Sequence, residues 1–461
     1  MRRLPVPDAA WLLVESREQP MHVGGLQLFA LPDDAPPTWV ADLVAEAMAH
    51  DEVASPFNRR LARPYGRAGL FHWVEDEVDL PYHVQHLALP EPGRIRELLS
   101  YVSRSHSALL DRQRPLWELT LLEGIEDGRI AVYSKVHHSM LDGVAAMRQV
   151  TAMFSPDPDA RDAPPPWAAA PQEPERVRAE GDATSTLRTV LGTAAGALGQ
   201  AGSALGALKA LAGQVAKAPF DAHEVAPFAA PRSLLNQRLT AARRFVAQDY
   251  PLERIKQVAK ATETTVNDVV LSMCGGAVRT YLLDLGALPD DPLVAMVPVS
   301  IRPDDGSASG NALSFALAEL ATDADAPLDR LARVHASMER AKARLRGMSQ
   351  AELVDYAILL TAPLIGSQLL GIGAVGRPLF NLTISNVPGP AEPLYYNGAR
   401  MTGMYPVSLL FDGYGLNITQ ASYAGQMAFG ITADRTSLPH VQRLIDHLGD
   451  ELEAMATDAG V

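Results

Sequence analysis

One cysteine, Cys274, is all the thiol chemistry this chain contains. That excludes an internal disulfide and any thiolate metal cluster, and it suits a reducing compartment. Positive charge is also short, because 40 lysines and arginines against 54 aspartates and glutamates leave a formal net charge of −14. Affinity for phosphate backbones comes from clustered Lys and Arg, so we expect no nucleic-acid partner, and an anionic substrate would need a local basic site. No window reaches the roughly 18 consecutive apolar residues of a membrane-spanning helix. The opening stretch MRRLPVPDAAWLLVESREQP is broken by prolines and acidic residues before any apolar leader core develops, so no signal peptide is expected. We find no short internal repeat. These absences together predict a cytoplasmic protein.

What is present is an ordinary globular composition, 47% hydrophobic and 20% charged over 461 residues, enough for two or three domains with large cores. Proline and charge replace any apolar period in SPDPDARDAPPPWAAAPQEPERVRAEGD, residues 155 to 182, which is linker composition. An Ala, Gly and Leu-rich segment follows at 184 to 220, interrupted by Arg188, Gln200, Lys209, Gln214 and Lys217. It reads as a glycine-diluted connector helix lying on the protein. A second reading, a segment resting on a lipid surface, has less support because aromatic anchors are missing. The chain thus divides into residues 1–154, a connection over 155–230, and residues 231–461.

Both flanking parts mix strands with helices. VGGLQLFAL, WELTLLEG and GRIAVYSKVHH read as strands, RIRELLSYVSRSHSALL as a helix, and VAAMRQVTAMF carries helical spacing at Val144, Met147 and Val150. Beyond residue 231, YPLERIKQVAKAT predicts a short amphipathic helix with Pro251 in its first turn. TTVNDVVLSMCGGAVRTYLLDLG predicts a buried helix whose two glycines allow close approach by a neighbour. LVAMVPVSIRP, FNLTISNVPGP, LNITQAS and QMAFGITAD complete a set of strands with turn punctuation. Strands alternating with helices on both sides of the connection predict an α/β protein of two lobes.

The segment KVHHSMLDGVAA, Lys135 to Ala146, places two histidines where a strand pattern gives way to a helical one. A histidine near its ordinary pKa of about 6.5 accepts and returns a proton near neutrality, and a strand exit fixes it with little freedom to wander. In an extended chain His137 and His138 project to opposite sides, so one can be catalytic and the other structural. Asp142 in the first turn of a following helix would stabilise that end, and Gly143 can approach a neighbour closely. Three readings stay open on these residues alone. A metal site has the right chemical types, but adjacent histidines point apart and no third is suitably spaced nearby. A polar structural corner and an acyl-transfer centre remain.

HHSMLDG matches the pattern HHxxxDG. With PMHVGGLQLF, DRQRPLWELTLLEG, TVNDVVLSMCGGAVRTYL, VPVSIRP followed by GN, and ISNVPGP, the chain resembles the bacterial wax ester synthase/diacylglycerol acyltransferase family over nearly its whole length. The resemblance extends to the broader chloramphenicol acetyltransferase-like superfamily. It implies two α/β lobes with a substrate tunnel at their interface, and an acyl group passing from acyl-CoA to a fatty alcohol or a diacylglycerol. It makes His138 the general base, with His137, Asp142 and Arg302 as structural support, Asp142 pairing with Arg302 of VPVSIRP. No metal and no cofactor are expected, since a thioester is already activated and acyl-CoA enters as substrate. Insoluble products suggest peripheral contact with a membrane or lipid droplet. Nothing in the residues fixes an oligomeric state. A related acyltransferase with another acceptor or a carrier-bound donor, and a catalytically silent lipid-binding protein, are the rivals.

Asn267 and the Gly143 N–H are candidates for holding the oxyanion, while Asp268, about 100 degrees around the helix from Asn267, is expected to be structural. Ser139 reads as a turn residue rather than a nucleophile. Asp111, Arg112 and Arg114 to Trp117 read as a turn and a tryptophan anchor, with Ala108-Leu109 standing where the family pattern has proline. Asn386, Pro388 and Gly389 are candidate tunnel residues or simply a turn. Arg340, Lys342, Arg344 and Arg346 read as a solvated helix face, with CoA phosphate binding as the alternative.

Overall fold

The computed structural model describes residues 2–4, 6–63, 71–141, 153–168, 225–301, 312–348, 350–369, 371 and 373–461. Asp142, Gly143 and Arg302 lie outside the described residues, as do 169–224, which hold the 184–220 segment.

In chain order the strands are β1 (Arg2–Arg3), β2 (His22–Ala30), β3 (Arg59–Leu61), β4 (His72–Glu75), β5 (Val84–Ala88), β6 (Trp117–Glu123), β7 (Ile130–His137), β8 (Arg243–Pro251), β9 (Val294–Ile301), β10 (Ala312–Glu319), β11 (Leu382–Val387), β12 (Tyr395–Tyr396), β13 (Ala399–Val407), β14 (Leu416–Tyr423) and β15 (Gln426–Asp434). A small sheet runs β1-β4-β3, and two six-stranded sheets run β12-β13-β2-β7-β6-β5 and β10-β9-β11-β14-β15-β8. Both large sheets are mixed: β5 and β6 are parallel in the first, as are β9–β11 and β11–β14 in the second. The architecture is two-lobed α/β.

Local chemistry explains the strand that carries the histidine pair. Along β7 the residues Ala131, Tyr133, Lys135 and His137 are buried and alternate with more accessible Val132, Ser134 and Val136, the period-2 pattern of a pleated strand. Lys135 is tolerated on the buried face because its ammonium meets the C-terminal carbonyls of the helix Ile95–Ser107, Ser105 at 3.2 Å and Ala108 at 3.3 Å, and Glu118 at 2.8 Å. A cation at the negative end of a helix dipole is favourable there.

In the second lobe, helices Leu252–Ala261, Val266–Asp284, Pro327–Arg346 and Arg443–Asp458 share one apolar core with β9, β11, β14 and β15. The two predicted close approaches are real. A Cβ on Gly275 would crowd the Leu320 carbonyl, and one on Gly276 would collide with the Glu451 carboxylate, which pairs with Arg330 at 3.0 Å. Pro251 differs from expectation: it ends β8 and stands at the N-cap of Leu252–Ala261 rather than inside its first turn.

The lobes are knitted rather than merely apposed. Residues of β12 and β13 come from the 231–461 part, yet β13 pairs antiparallel with β2 and extends the first sheet. In return, Ser103 and Ser107, one turn apart on Ile95–Ser107, accept the Phe245 and Arg243 N–H groups at 2.9 Å each. Those are donors on β8, the outer strand of the second sheet, which is thereby covered.

Candidate active site

Strand β7 ends at His137, and the chain turns immediately. The His138 N–H donates to the Met21 carbonyl at 2.9 Å, so this residue is held by the segment entering β2. Its half-buried ring stacks on Trp11 with centroids 4.2 Å apart and planes 26° from parallel. Trp11, from the helix Val6–Val14, stacks in turn with Phe411 at 6.0 Å, and with Val14, Met21, Leu409 and Ile365 it forms a small apolar cluster drawing on both lobes. His138 therefore faces the seam between lobes on an apolar floor.

His137 is wholly buried and differently used. Its Nδ1 accepts the Ser139 N–H at 3.1 Å and lies 2.7 Å from Ser139 Oγ, which puts the ring proton of the neutral form on Nε2. Nε2 stands 3.3 Å from Glu15 Oε1. Ser139 is thus a turn residue bonded to His137. Glu15 Oε1 also accepts the Met21 N–H at 3.1 Å, and Arg112 reaches Oε2 with Nε at 2.9 Å and Nη2 at 2.8 Å. Burial works to raise the Glu15 pKa, but His137, Arg112 and the Met21 N–H outweigh it and hold the carboxylate below its ordinary range.

Beyond His137 lies a second buried group. His22, its cross-strand partner, donates from Nε2 to the His106 carbonyl at 3.0 Å. His106 donates from Nε2 to the Ser408 carbonyl at 3.0 Å and accepts from Tyr133 at Nδ1, 2.9 Å away. Burial, reinforced by nearby Lys135, pushes the His22 pKa well below its ordinary value, while burial and the same lysine, against the Ser408 bond, take His106 down to about 3.

Asn267 sits half-buried in the first turn of Val266–Asp284. Its neighbour Asp268 is fully buried, accepts from the Thr265 N–H and hydroxyl at 3.1 and 2.7 Å as a capping box, and lies 2.8 Å from His335 Nδ1. Trp117 is an anchor: its indole N–H meets the Phe57 carbonyl at 2.9 Å and its ring stacks on His83. Arg112 does more than form a turn, as its fork on Glu15 shows. Gly389 is explained by packing, since a Cβ there would collide with the Ser422 carbonyl. Among the basic run, Lys342 pairs with Glu339, Arg344 lies over Tyr356, and Arg340 is exposed. Burial pushes the Cys274 thiol pKa up, so no thiolate nucleophile arises there. Among the described residues no helix is long and apolar enough to cross a membrane.

Trp11 and Glu15 are functional residues that the sequence alone does not single out. A proline at a helix start with Ala9 and Leu12 at helical spacing signals the helix Val6–Val14, but not the roles of Trp11 and Glu15.

Comparison with known proteins gives the family of the chain. Residues 4–270 match the wax ester synthase/diacylglycerol acyltransferase catalytic domain, and residues 309–456 match the WS/DGAT C-terminal domain. An O-acyltransferase WSD of Acinetobacter baylyi is 42% identical over 98% of this chain and 96% of its own. A probable diacylglycerol O-acyltransferase of Mycobacterium tuberculosis is 42% identical over 98% of each chain. The solved wax ester synthase/diacylglycerol acyltransferase from Marinobacter aquaeolei VT8 superposes with a TM-score of 0.81 at 42% identity, covering both chains completely. A condensation domain of the calcium-dependent antibiotic synthetase shares the fold alone, at a TM-score of 0.54 and 15% identity over 99% of this chain and 96% of that one. The chain belongs to the wax ester synthase/diacylglycerol acyltransferase family.

Proposed function

We propose that the protein transfers a long-chain acyl group from acyl-CoA to the hydroxyl of a fatty alcohol or a diacylglycerol, with His138 as general base and no covalent acyl-enzyme. Acyl transfer to such acceptors is the activity named for its relatives. The observation that carries the assignment to His138 is its placement: a histidine at a strand exit, tied by its backbone to Met21, its ring seated on Trp11 at the seam of the lobes. His138 takes the hydroxyl proton as the acceptor oxygen attacks the thioester carbonyl. The tetrahedral adduct collapses with cleavage of the C–S bond, and the same proton passes to the departing CoA sulfur. General acid–base action of this kind contributes about 10²–10⁴-fold in rate. For the oxyanion we assign Asn267 and the Gly143 N–H. We assign Asp142 to an architectural pair with Arg302. Substrates would reach His138 through a tunnel between the lobes. The insolubility of the products supports a peripheral seat on a membrane or lipid-droplet surface.

Purified protein given palmitoyl-CoA with hexadecanol or with a diacylglycerol should form ester, and folded His138→Ala should lose at least about 10²-fold of that rate. The preferred acceptor names the activity. Absence of ester from the intact protein with either acceptor overturns the reading in favour of another acceptor, a carrier-bound donor or lipid binding without turnover.

A further inference from the structure

The chemistry proposed for His138 leaves the charge cluster beneath it without a task. Taking a carboxylate and a guanidinium out of water costs several kcal/mol each, and apolar residues of similar volume often stabilise a fold as well, so a buried pair is weak evidence for stability alone. The Glu15 side chain is 3% exposed and that of Arg112 17%.

The connections of this pair are specific. Arg112 grips one carboxylate oxygen through two nitrogens, and its Nη2 also donates to the Leu12 carbonyl at 2.7 Å, which keeps the carboxylate from turning. The other oxygen takes the Met21 N–H, and the Met21 carbonyl takes the His138 N–H. That same oxygen faces His137 Nε2, while His137 Nδ1 takes the Ser139 N–H. His138 thus has its own peptide, its preceding residue and its following residue all referred to one carboxylate.

We propose that Glu15, clamped by Arg112, is a positioning residue that fixes His138 by two routes, the Met21 peptide and the His137–Ser139 turn. The proposal rests on the reading of His138 as general base. It gives the RQRPLW segment a part in turnover without substrate contact, and it requires that the effect appear in kcat.

The test is steady-state kinetics with palmitoyl-CoA and hexadecanol on wild type, Glu15→Ala, Glu15→Gln, Arg112→Lys and His138→Ala, with rates expressed per folded molecule from circular dichroism and melting curves. Misplacing a reacting group by an ångström costs on the order of 10²-fold, so kcat of Glu15→Ala should fall between about 10- and 100-fold with KM for palmitoyl-CoA unchanged. Glu15→Gln keeps an oxygen for the Met21 N–H and His137 and should recover part of the loss. If Glu15→Ala does not fold, Glu15→Gln and Arg112→Lys carry the test. Wild-type kcat per folded molecule in the Glu15 and Arg112 variants, or a change confined to KM, overturns the proposal while inactive His138→Ala leaves the base assignment standing. Full turnover by His138→Ala removes both.

Discussion

The rings of His22 and His106 meet edge to face at 4.6 Å, deep inside the protein, and each donates its one proton to a carbonyl. Both pKa values are depressed by burial, that of His106 to about 3 from an ordinary 6.5. The unfolded chain therefore binds protons below pH 6.5 that the folded chain refuses. Stability attached to these rings is complete above pH 6.5 and drains as pH falls below it, for His106 down to about 3, by up to about 1.4 kcal/mol per pH unit for each histidine. Urea unfolding at pH 7.5 and at pH 5.5 should show this loss, and His106→Gln should show a smaller one; equal losses would assign the slope elsewhere. Between pH 7.5 and pH 5.5 the loss is free of Glu15, whose lowered pKa places its own contribution at more acid pH. At this scale the histidine pair was legible, because an adjacent pair at a strand exit is rare and chemically pointed. Glu15 and Trp11 were not, because an acid and an indole acquire meaning only from what stands opposite them, and Arg112 lies far along the chain.

The elements are positioned by backbone approaches that only small residues permit. At Gly430 on β15 an added Cβ would strike the Pro406 carbonyl of β13, where the two sheets cross. Backbone cannot swing aside as a side-chain tip can, and overpacking of this sort costs about 1–3 kcal/mol. Gly430→Ala should be destabilised by that amount in denaturant titration, and a change under about 0.5 kcal/mol would show that the crossing is looser than this geometry. The helix Val266–Asp284 was legible from its apolar spacing and its paired glycines; the capping box of Thr265 and Asp268 is the structure's addition, Asp268 having been expected only to be structural. The helices Val6–Val14, Trp39–Ala49, Gln350–Leu369 and Arg443–Asp458 went unassigned, since a sequence read for motifs passes over helices whose reason to exist is a partner surface.

Two lobes were legible from the proline-rich break and the alternation of strands and helices, but the exchange of β13 was not. Its residues ARMTGMYPV carry an ordinary strand pattern that says nothing about which sheet they join. The exchange makes the lobes interdependent. Separately produced fragments 1–230 and 231–461 should each be insoluble or unfolded, because the first lacks the strand that pairs with β2 and the second exposes the apolar face of β13. Co-expression should recover soluble complex on a co-purification assay; an independently folded first fragment would count against this interdependence. The same exchange bears on biosynthesis. While a ribosome makes its way from His137 to Val407, an interval on the order of tens of seconds at about 5–20 residues per second, the outer edge of β2 waits unpaired. The nascent first lobe is thus a half-built sheet for most of its time on the ribosome, and the strand that completes it is the same stretch that delivers Ser408 to His106.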